Sequence, residues 1–219
     1  MLKKRDKNFY WYHISKLILA YTLRIFWRVR IFGKENVPDQ PYIVTSNHAS
    51  YIDPPLIGMA CDKDTIDFMA KKELFDKPLL GAWCRLVGCV EVSRGSSSVR
   101  SLREALERIK RKRSVAIFPE GTRSEDGSLQ EAKRGIGFLV ARAGVPVLPI
   151  YIDGTAEAMA KGKNVRLGAR INVYVGKPVT PEEFLSCGIG GKDYDSFANV
   201  VMDRIVATKE VSEKETVTA

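Results

Sequence analysis

Beyond Gly33 the chain alternates between short runs rich in β-branched and aromatic residues and stretches in which apolar positions recur every three or four residues. The runs Tyr42–Ser46 (YIVTS), Asp67–Ala70 (DFMA), Cys89–Val92 (CVEV), Val115–Phe118 (VAIF), Val145–Ile152 (VPVLPIYI) and Arg170–Val175 (RINVYV) read as strands. Helical candidates lie between them. In the clearest, Leu102, Ala105, Leu106 and Ile109 keep the i, i+3, i+4, i+7 spacing of one helix face, with Arg103, Glu104, Arg108 and Lys112 on the others. Strands alternating with helices predict an α/β fold, a mostly parallel sheet flanked by helices. The domain is expected over residues 33–208, followed by a polar tail, 209–219, that frays.

Residues 1–32 follow another pattern. Lys16, Arg24, Arg28 and Arg30 interrupt an otherwise aliphatic and aromatic stretch, leaving an uncharged run only from Leu17 to Leu23. A spanning helix needs roughly 20 apolar residues, so this segment is not expected to cross a bilayer. At helical spacing Ile14, Leu17, Ile18, Tyr21, Ile25 and Val29 form an apolar stripe, while Phe9, Tyr10, Trp11 and Tyr12 stand beside the cations Lys3, Lys4, Arg5 and Lys7. Rings and cationic stems both favour the headgroup layer. Segment 1–32 is therefore expected to be an amphipathic helical anchor, with Phe9, Tyr10, Trp11, Tyr12, Leu17, Ile18 and Ile25 at the membrane interface. A secretory signal is disfavoured by the short apolar stretch and by arginine and tryptophan where small residues should precede a cleavage site. The alternative is a helix that only packs on the domain.

Charge narrows the choice of partners. Lys and Arg number 35 against 26 Asp and Glu, a net charge of +9, which favours nucleic acid, an anionic membrane or phosphorylated small molecules. The run Arg108–Arg113 (RIKRKR) reads as a solvated helix C-terminus whose cations suit the dipole. With no RNP pattern and no recognition helix, nucleic acid is not an expected partner. Cys61, Cys84, Cys89 and Cys187 form no CxxC pair and no zinc spacing, so free thiols in a reducing compartment and no metal are expected.

The chain holds two histidines. His13 lies in the aromatic N-terminal stretch, where an interfacial or packing role fits. His48 follows the strand Tyr42–Ser46 in the sequence Asn47-His-Ala-Ser-Tyr-Ile-Asp53, ahead of Pro54 and Pro55. Loops at strand C-terminal ends are where open α/β sheets bind ligands. His48 and Asp53 would diverge on a regular helix or strand, so they can pair only if the backbone bends between them. Paired, Asp53 fixes the tautomer and leaves the other ring nitrogen free to take a proton from a hydroxyl. The competing reading is a turn in which Asn47, Ser50 and Asp53 cap backbone groups.

A second strand, Val115–Phe118, runs into Pro119, Glu120, Gly121, Thr122, Arg123 and Ser124. Here a glycine admits close backbone approach to an anion and an arginine offers a planar fork for phosphate. Neither a Walker A pattern nor GxGxxG nor GxSxG is present.

Together these segments resemble a known family. Asn47–Asp53 is similar to the HX4D signature, and Phe118–Ser124 to the FPEGTR signature, of the glycerolipid acyltransferases, in the same order and roughly 70 residues apart. Gly88–Gly95 and Val145–Gly154 resemble two further blocks, and Ala70–Gly81 an intervening segment; Glu91 departs from a position that is often apolar. The resemblance covers about residues 35–180 and is closest to bacterial 1-acyl-sn-glycerol-3-phosphate acyltransferases. It implies His48 as general base and Asp53 as its partner. It implies Arg94, Arg123, Lys71 and Lys72 at the substrate phosphate and Glu120, Gly121 and Thr122 around the glycerol. The implied reaction moves a fatty acyl group from acyl-CoA or acyl carrier protein to the 2-hydroxyl of lysophosphatidic acid, without a cofactor, at the cytoplasmic face of an anionic membrane. Glycerol-3-phosphate or another lysophospholipid is the alternative acceptor. A covalent route through Ser46 or Ser50, a non-catalytic lipid-binding protein and a basic nucleic-acid-binding module are the rivals.

Overall fold

The computed structural model describes residues 8–217 apart from 40, 64, 93–96, 160, 161, 163, 187, 188 and 190, and only the backbone of residues 8, 9, 86, 92, 97, 98 and 212–217. In chain order the elements are α1 (Asn8–Phe26), β1 (Arg28–Phe32), β2 (Ile43–Ser46), α2 (Asp53–Ala60), β3 (Ile66–Lys71), α3 (Lys72–Phe75), α4 (Pro78–Leu86), β4 (Val90–Val92), α5 (Ser97–Lys110), β5 (Ser114–Ile117), α6 (Arg134–Ala143), β6 (Val147–Asp153), α7 (Thr155–Met159), β7 (Arg170–Val175), α8 (Pro181–Ser186) and α9 (Tyr194–Val217). The strands form one sheet in the order β1-β7-β6-β2-β5-β3-β4, parallel at every pairing except β6 with β7. This is the expected mostly parallel α/β architecture. Two large apolar clusters cover its faces, one under α1 and α2, the other under α5, α6 and α9.

Parallel pairing decides where chemistry can collect. The C-terminal ends of β2, β5 and β6 share one edge, and β3 brings Lys71 and Lys72 to it. β4 runs the same way, and Arg94 lies outside the described residues. Because β7 runs antiparallel to β6 and β1 runs with β7, both of these strands begin at that edge.

Two expectations at the chain ends need correction. The segment 1–32 is not helical throughout: α1 stops at Phe26, and Arg28–Phe32 is a strand on the sheet's edge. The sequence RVRIF alternates with period two, so Val29 and Ile31 pack against the core while Arg28, Arg30 and Phe32 face out. Trp27 is buried at the junction and its Nε1 donates to the Arg166 carbonyl at 2.8 Å. Val29 therefore leaves the helical stripe. At the other end, the tail expected to fray from 209 continues α9 to Val217. Phe197, Ala198, Val201 and Ile205 recur at helical spacing and bury one face of α9, and a helix nucleated in the core adds residues at one backbone bond each. α9 crosses α6 at Gly137, where a Cβ would lie 1.7 Å from the Tyr194 carbonyl oxygen.

α1 itself is two-faced. Tyr12 and Leu23 are buried on one side, and the Tyr12 hydroxyl accepts the Ile66 amide at 3.1 Å. Ile14, Leu17, Ile18, Tyr21 and Ile25 are exposed on the other, with Tyr10 and Trp11. At 100° per residue these sets occupy opposite sides. Tyr12, expected at the membrane interface, is instead a core residue, because it falls on the inward side. The side chain of Phe9 lies outside the described residues. His13 is half-buried, edge-on to the Tyr12 ring at 5.5 Å, a packing position. Among the described residues no helix is long and apolar enough to cross a membrane.

On the opposite flank Asp67, fully buried in β3, binds Arg113 through Nε and Nη2 at 2.7 and 2.5 Å and Arg108 through Nη1 at 2.9 Å. This ties the end of α5 to the sheet. Removing one partner of a buried ion pair strands the others. Asp67→Ala should lower unfolding free energy by about 3 kcal/mol in urea titrations; an unchanged midpoint would mean that this carboxylate adds nothing to stability.

Candidate active site

β2 ends at Ser46 and the chain turns sharply. The Asn47 side chain stops the ladder by imitating it: its Nδ2 donates to the Ile152 carbonyl and its Oδ1 accepts the Ile152 amide, both at 2.8 Å. This anchors the turn to β6 and releases His48 over the edge. Five residues on, Asp53 opens α2, with Pro54 and Pro55 in a first turn whose amides need no intrahelical partner. A carboxylate is favoured at that positive helix end.

The bend brings the two side chains together. His48 Nδ1 donates to Asp53 Oδ2 at 2.8 Å, and the same oxygen accepts the amides of Ala49 at 2.8 Å and Ser50 at 2.7 Å. Asp53 is fully buried. The His48 side chain keeps 17% of its surface open, and Nε2 has no partner among the described residues. Its ring stacks on Phe118, with centroids 3.9 Å apart and planes 12° from parallel. One side of the imidazole is thus packed, one nitrogen is held by a carboxylate, and the other is free.

The loop after β5 docks directly on this turn, with the Ser124 amide donating to the His48 carbonyl at 2.7 Å. Gly121, at φ +69°, closes a turn by donating its amide to the Phe118 carbonyl at 3.0 Å. Gly121 and Thr122 are exposed at the rim. The Arg123 guanidinium lies over the Tyr51 ring, Cζ 3.6 Å from the centroid, with Nη1 buried and unpartnered. The guanidinium is thus held by an aromatic face, with one of its donors buried. Beyond it Asp126 is held well below the usual carboxylate range by the Ser128 hydroxyl and amide and by the Ser124 hydroxyl, which fixes the loop.

Glu120, expected around the glycerol, is buried. It is 1% exposed, turned inward beneath His48, and neither oxygen closes a well-formed hydrogen bond. Burial pushes its pKa up to about 7, and the negative Asp53 adds to the rise, while the amides of His48 and Gln130 relieve part of it. Its influence on the site passes through its neighbours. Lys71 and Lys72 are exposed at the same edge of the sheet, and the position of Arg94 lies outside the described residues. Ser46 and Ser50, the candidates for a covalent route, are fully buried, their hydroxyls donating to the carbonyls of Asn47 and Met159.

Asn47 does cap backbone groups, as the competing turn reading had it, while two residues with evident duties, Phe118 and Tyr51, went unassigned from sequence. Both lie inside the two signatures, so their positions were marked, but ring stacking depends on the fold.

Residues 28–153, more than half of the chain, match the family model described as Acyltransferase. The chain is 33% identical over 184 residues to a chloroplastic 1-acyl-sn-glycerol-3-phosphate acyltransferase of Brassica napus, covering 82% of this chain and 53% of that protein. It is 30% identical to the yeast enzyme of that name from Saccharomyces cerevisiae, over 91% of this chain and 64% of the relative, and 28% identical to the Bacillus subtilis one, over 71% and 76%. The chain thus spans about half the length of the plant relative and under two thirds of the yeast one. The crystal structure of the 1-acyl-sn-glycerophosphate (LPA) acyltransferase, PlsC, from Thermotoga maritima superposes with a TM-score of 0.78 at 29% identity, covering 97% of this chain and 84% of that one.

The Glu120 environment fixes a pH dependence. A carboxyl with a raised folded pKa leaves stability intact below its ordinary value near 4.5, and stability is lost as pH climbs through about 7. Each tenfold loss of acidity on folding is worth roughly 1.4 kcal/mol, so the decline is on the order of 3 kcal/mol. Glu120→Gln should flatten it in urea unfolding between about pH 4.5 and 7.5. Parallel profiles for both proteins would refute the burial argument.

Proposed function

The chain belongs to the acyltransferase family, and from that premise we propose that it moves a fatty acyl group from acyl-CoA or acyl carrier protein to the 2-hydroxyl of lysophosphatidic acid, giving phosphatidic acid. The observation that carries this reading is an imidazole gripped at Nδ1 by Asp53, open at Nε2, in a loop bonded to the one presenting Arg123.

In this scheme Nε2 takes the proton of the acceptor hydroxyl as its oxygen attacks the thioester carbonyl. The tetrahedral adduct collapses, the carbon–sulfur bond breaks, and the leaving thiolate recovers the proton from the imidazolium. Asp53 holds the reactive tautomer and offsets the transient positive charge. The buried state of Ser46 and Ser50 favours this direct transfer over an acyl-enzyme. Arg123 grips the acceptor phosphate with Lys71, Lys72 and Arg94 contributing charge, and Gly121 and Thr122 border the glycerol. No cofactor enters beyond the acyl donor.

Acceptor and product are amphiphiles, so the protein must meet them at a lipid surface. The outer face of α1, with Tyr10, Trp11, Leu17, Ile18 and Ile25 exposed, supports peripheral or monotopic attachment to the cytoplasmic face of an anionic membrane. Aliphatic and aromatic groups exposed along one side of a helix whose other side is buried in the domain suit such a surface.

Acyl transfer from labelled donor to a panel of acceptors tests the reading. Lysophosphatidic acid should exceed glycerol-3-phosphate and other lysophospholipids. His48→Ala should lower kcat about 10²- to 10⁴-fold while substrate still binds. Arg123→Ala should act mainly on the acceptor KM. Undiminished turnover in both variants would overturn the assignment.

A further inference from the structure

We propose that the loop Asn164–Gly168, with Arg28 and Arg170 beside it, is a second contact with an anionic bilayer, separate from the outer face of α1. The proposal rests on the lipid-acyltransferase reading and adds where the sheet edge itself meets lipid. Val165 and Leu167 are 50% and 63% exposed. Their loop is nonetheless held in place: Trp27 Nε1 donates to the Arg166 carbonyl at 2.8 Å, the Gly168 amide to the Phe26 carbonyl at 2.8 Å, and the Arg166 amide to the Ala158 carbonyl at 2.9 Å. Two aliphatic side chains on a bonded loop, beside the exposed Ile25 and Phe26 at the end of α1, extend that helix's apolar face onto the domain.

The second observation is electrostatic. Arg28 and Arg170 are register partners at the start of β1 and β7, and both are exposed. Like charges directly opposite on neighbouring strands repel. No described carboxylate pairs with either, whereas the adjacent Arg166 is bound to Glu157. Two guanidiniums without a described counter-charge, beside two outward aliphatic groups, match a layer of phosphates over hydrocarbon. Nucleic acid would satisfy the arginines and leave Val165 and Leu167 in water. A two-fold partner copy would bring the arginines towards their own counterparts.

The location gives this contact a purpose. β1 and β7 begin at the edge where β2 ends, so the patch lies on the side of the sheet that carries His48. Ser50, between His48 and Asp53, donates its hydroxyl to the Met159 carbonyl at 2.7 Å, and α7 leads from there to the loop. Seating the patch on lipid would orient the site opening towards the layer that holds an amphiphilic acceptor.

Vesicle flotation tests this with three proteins, wild type, V165S/L167S and R28Q/R170Q, on phosphatidylcholine vesicles with or without one quarter phosphatidylglycerol. The replaced side chains are all solvent-facing, so far-UV circular dichroism and melting should match wild type. V165S/L167S should bind about tenfold more weakly to phosphatidylglycerol vesicles. R28Q/R170Q should lose roughly fivefold per arginine on these vesicles and nothing on phosphatidylcholine, with a shallower salt dependence. Wild-type affinity in either folded variant would overturn the proposal, as would a wild-type dimer that V165S/L167S dissociates. Binding with the expected variant pattern but no acyl transfer by wild type would retire the enzymatic reading and support the contact.

Discussion

One oxygen, Oδ2 of Asp53, organises the functional edge of this protein. It accepts three donors, the His48 ring and the amides of Ala49 and Ser50, at the positive end of α2. Those bonds require the chain to reverse within a few residues of β2, and the reversal requires Asn47 to close off the ladder against β6. The same turn exposes the His48 carbonyl to the Ser124 amide, so the loop that carries Arg123 is positioned by the turn that carries the histidine. His48, Asp53 and the loop of Arg123 therefore form a single bonded unit, in which an error of register at β2 would misplace all three.

Below that unit lies Glu120, a carboxyl with a pKa of about 7 beside a second carboxylate that is committed to a histidine. Two acidic groups so close cannot both be charged cheaply in a dry interior. Asp53 has donors in His48, Ala49 and Ser50, whereas Glu120 lacks well-formed ones, and burial raises the pKa of Glu120.

Much of this was legible in the chain. Every strand but the first follows from a β-rich run, and the loops that carry His48 and Arg123 come directly after two of those runs. His48 and Asp53 could be paired from sequence only by supposing a bend; Pro54, Pro55 and Asn47 supply it, each for a reason that depends on what surrounds it. The strand Arg28–Phe32 was hidden because RVRIF continues an aliphatic, arginine-punctuated stretch, and only the edge of β7 gives its period-two pattern a place to pair. Tyr12 was misplaced by the same stretch, since an aromatic cluster does not reveal which ring turns inward. The burial of Glu120 was not legible because sequence shows that a carboxylate follows a strand, not whether its turn sends it to water.

The junction at Trp27 has a practical bearing on how the molecule can be handled. Helix α1 is not a detachable tether, since the next residues form the strand that covers one side of β7. Cutting the chain at residue 33 to gain solubility would bare a row of backbone donors and acceptors along β7 and invite edge-to-edge association. Polar replacements on the outward face of α1, leaving Tyr12, Leu23 and Trp27 alone, are the route that keeps the sheet closed.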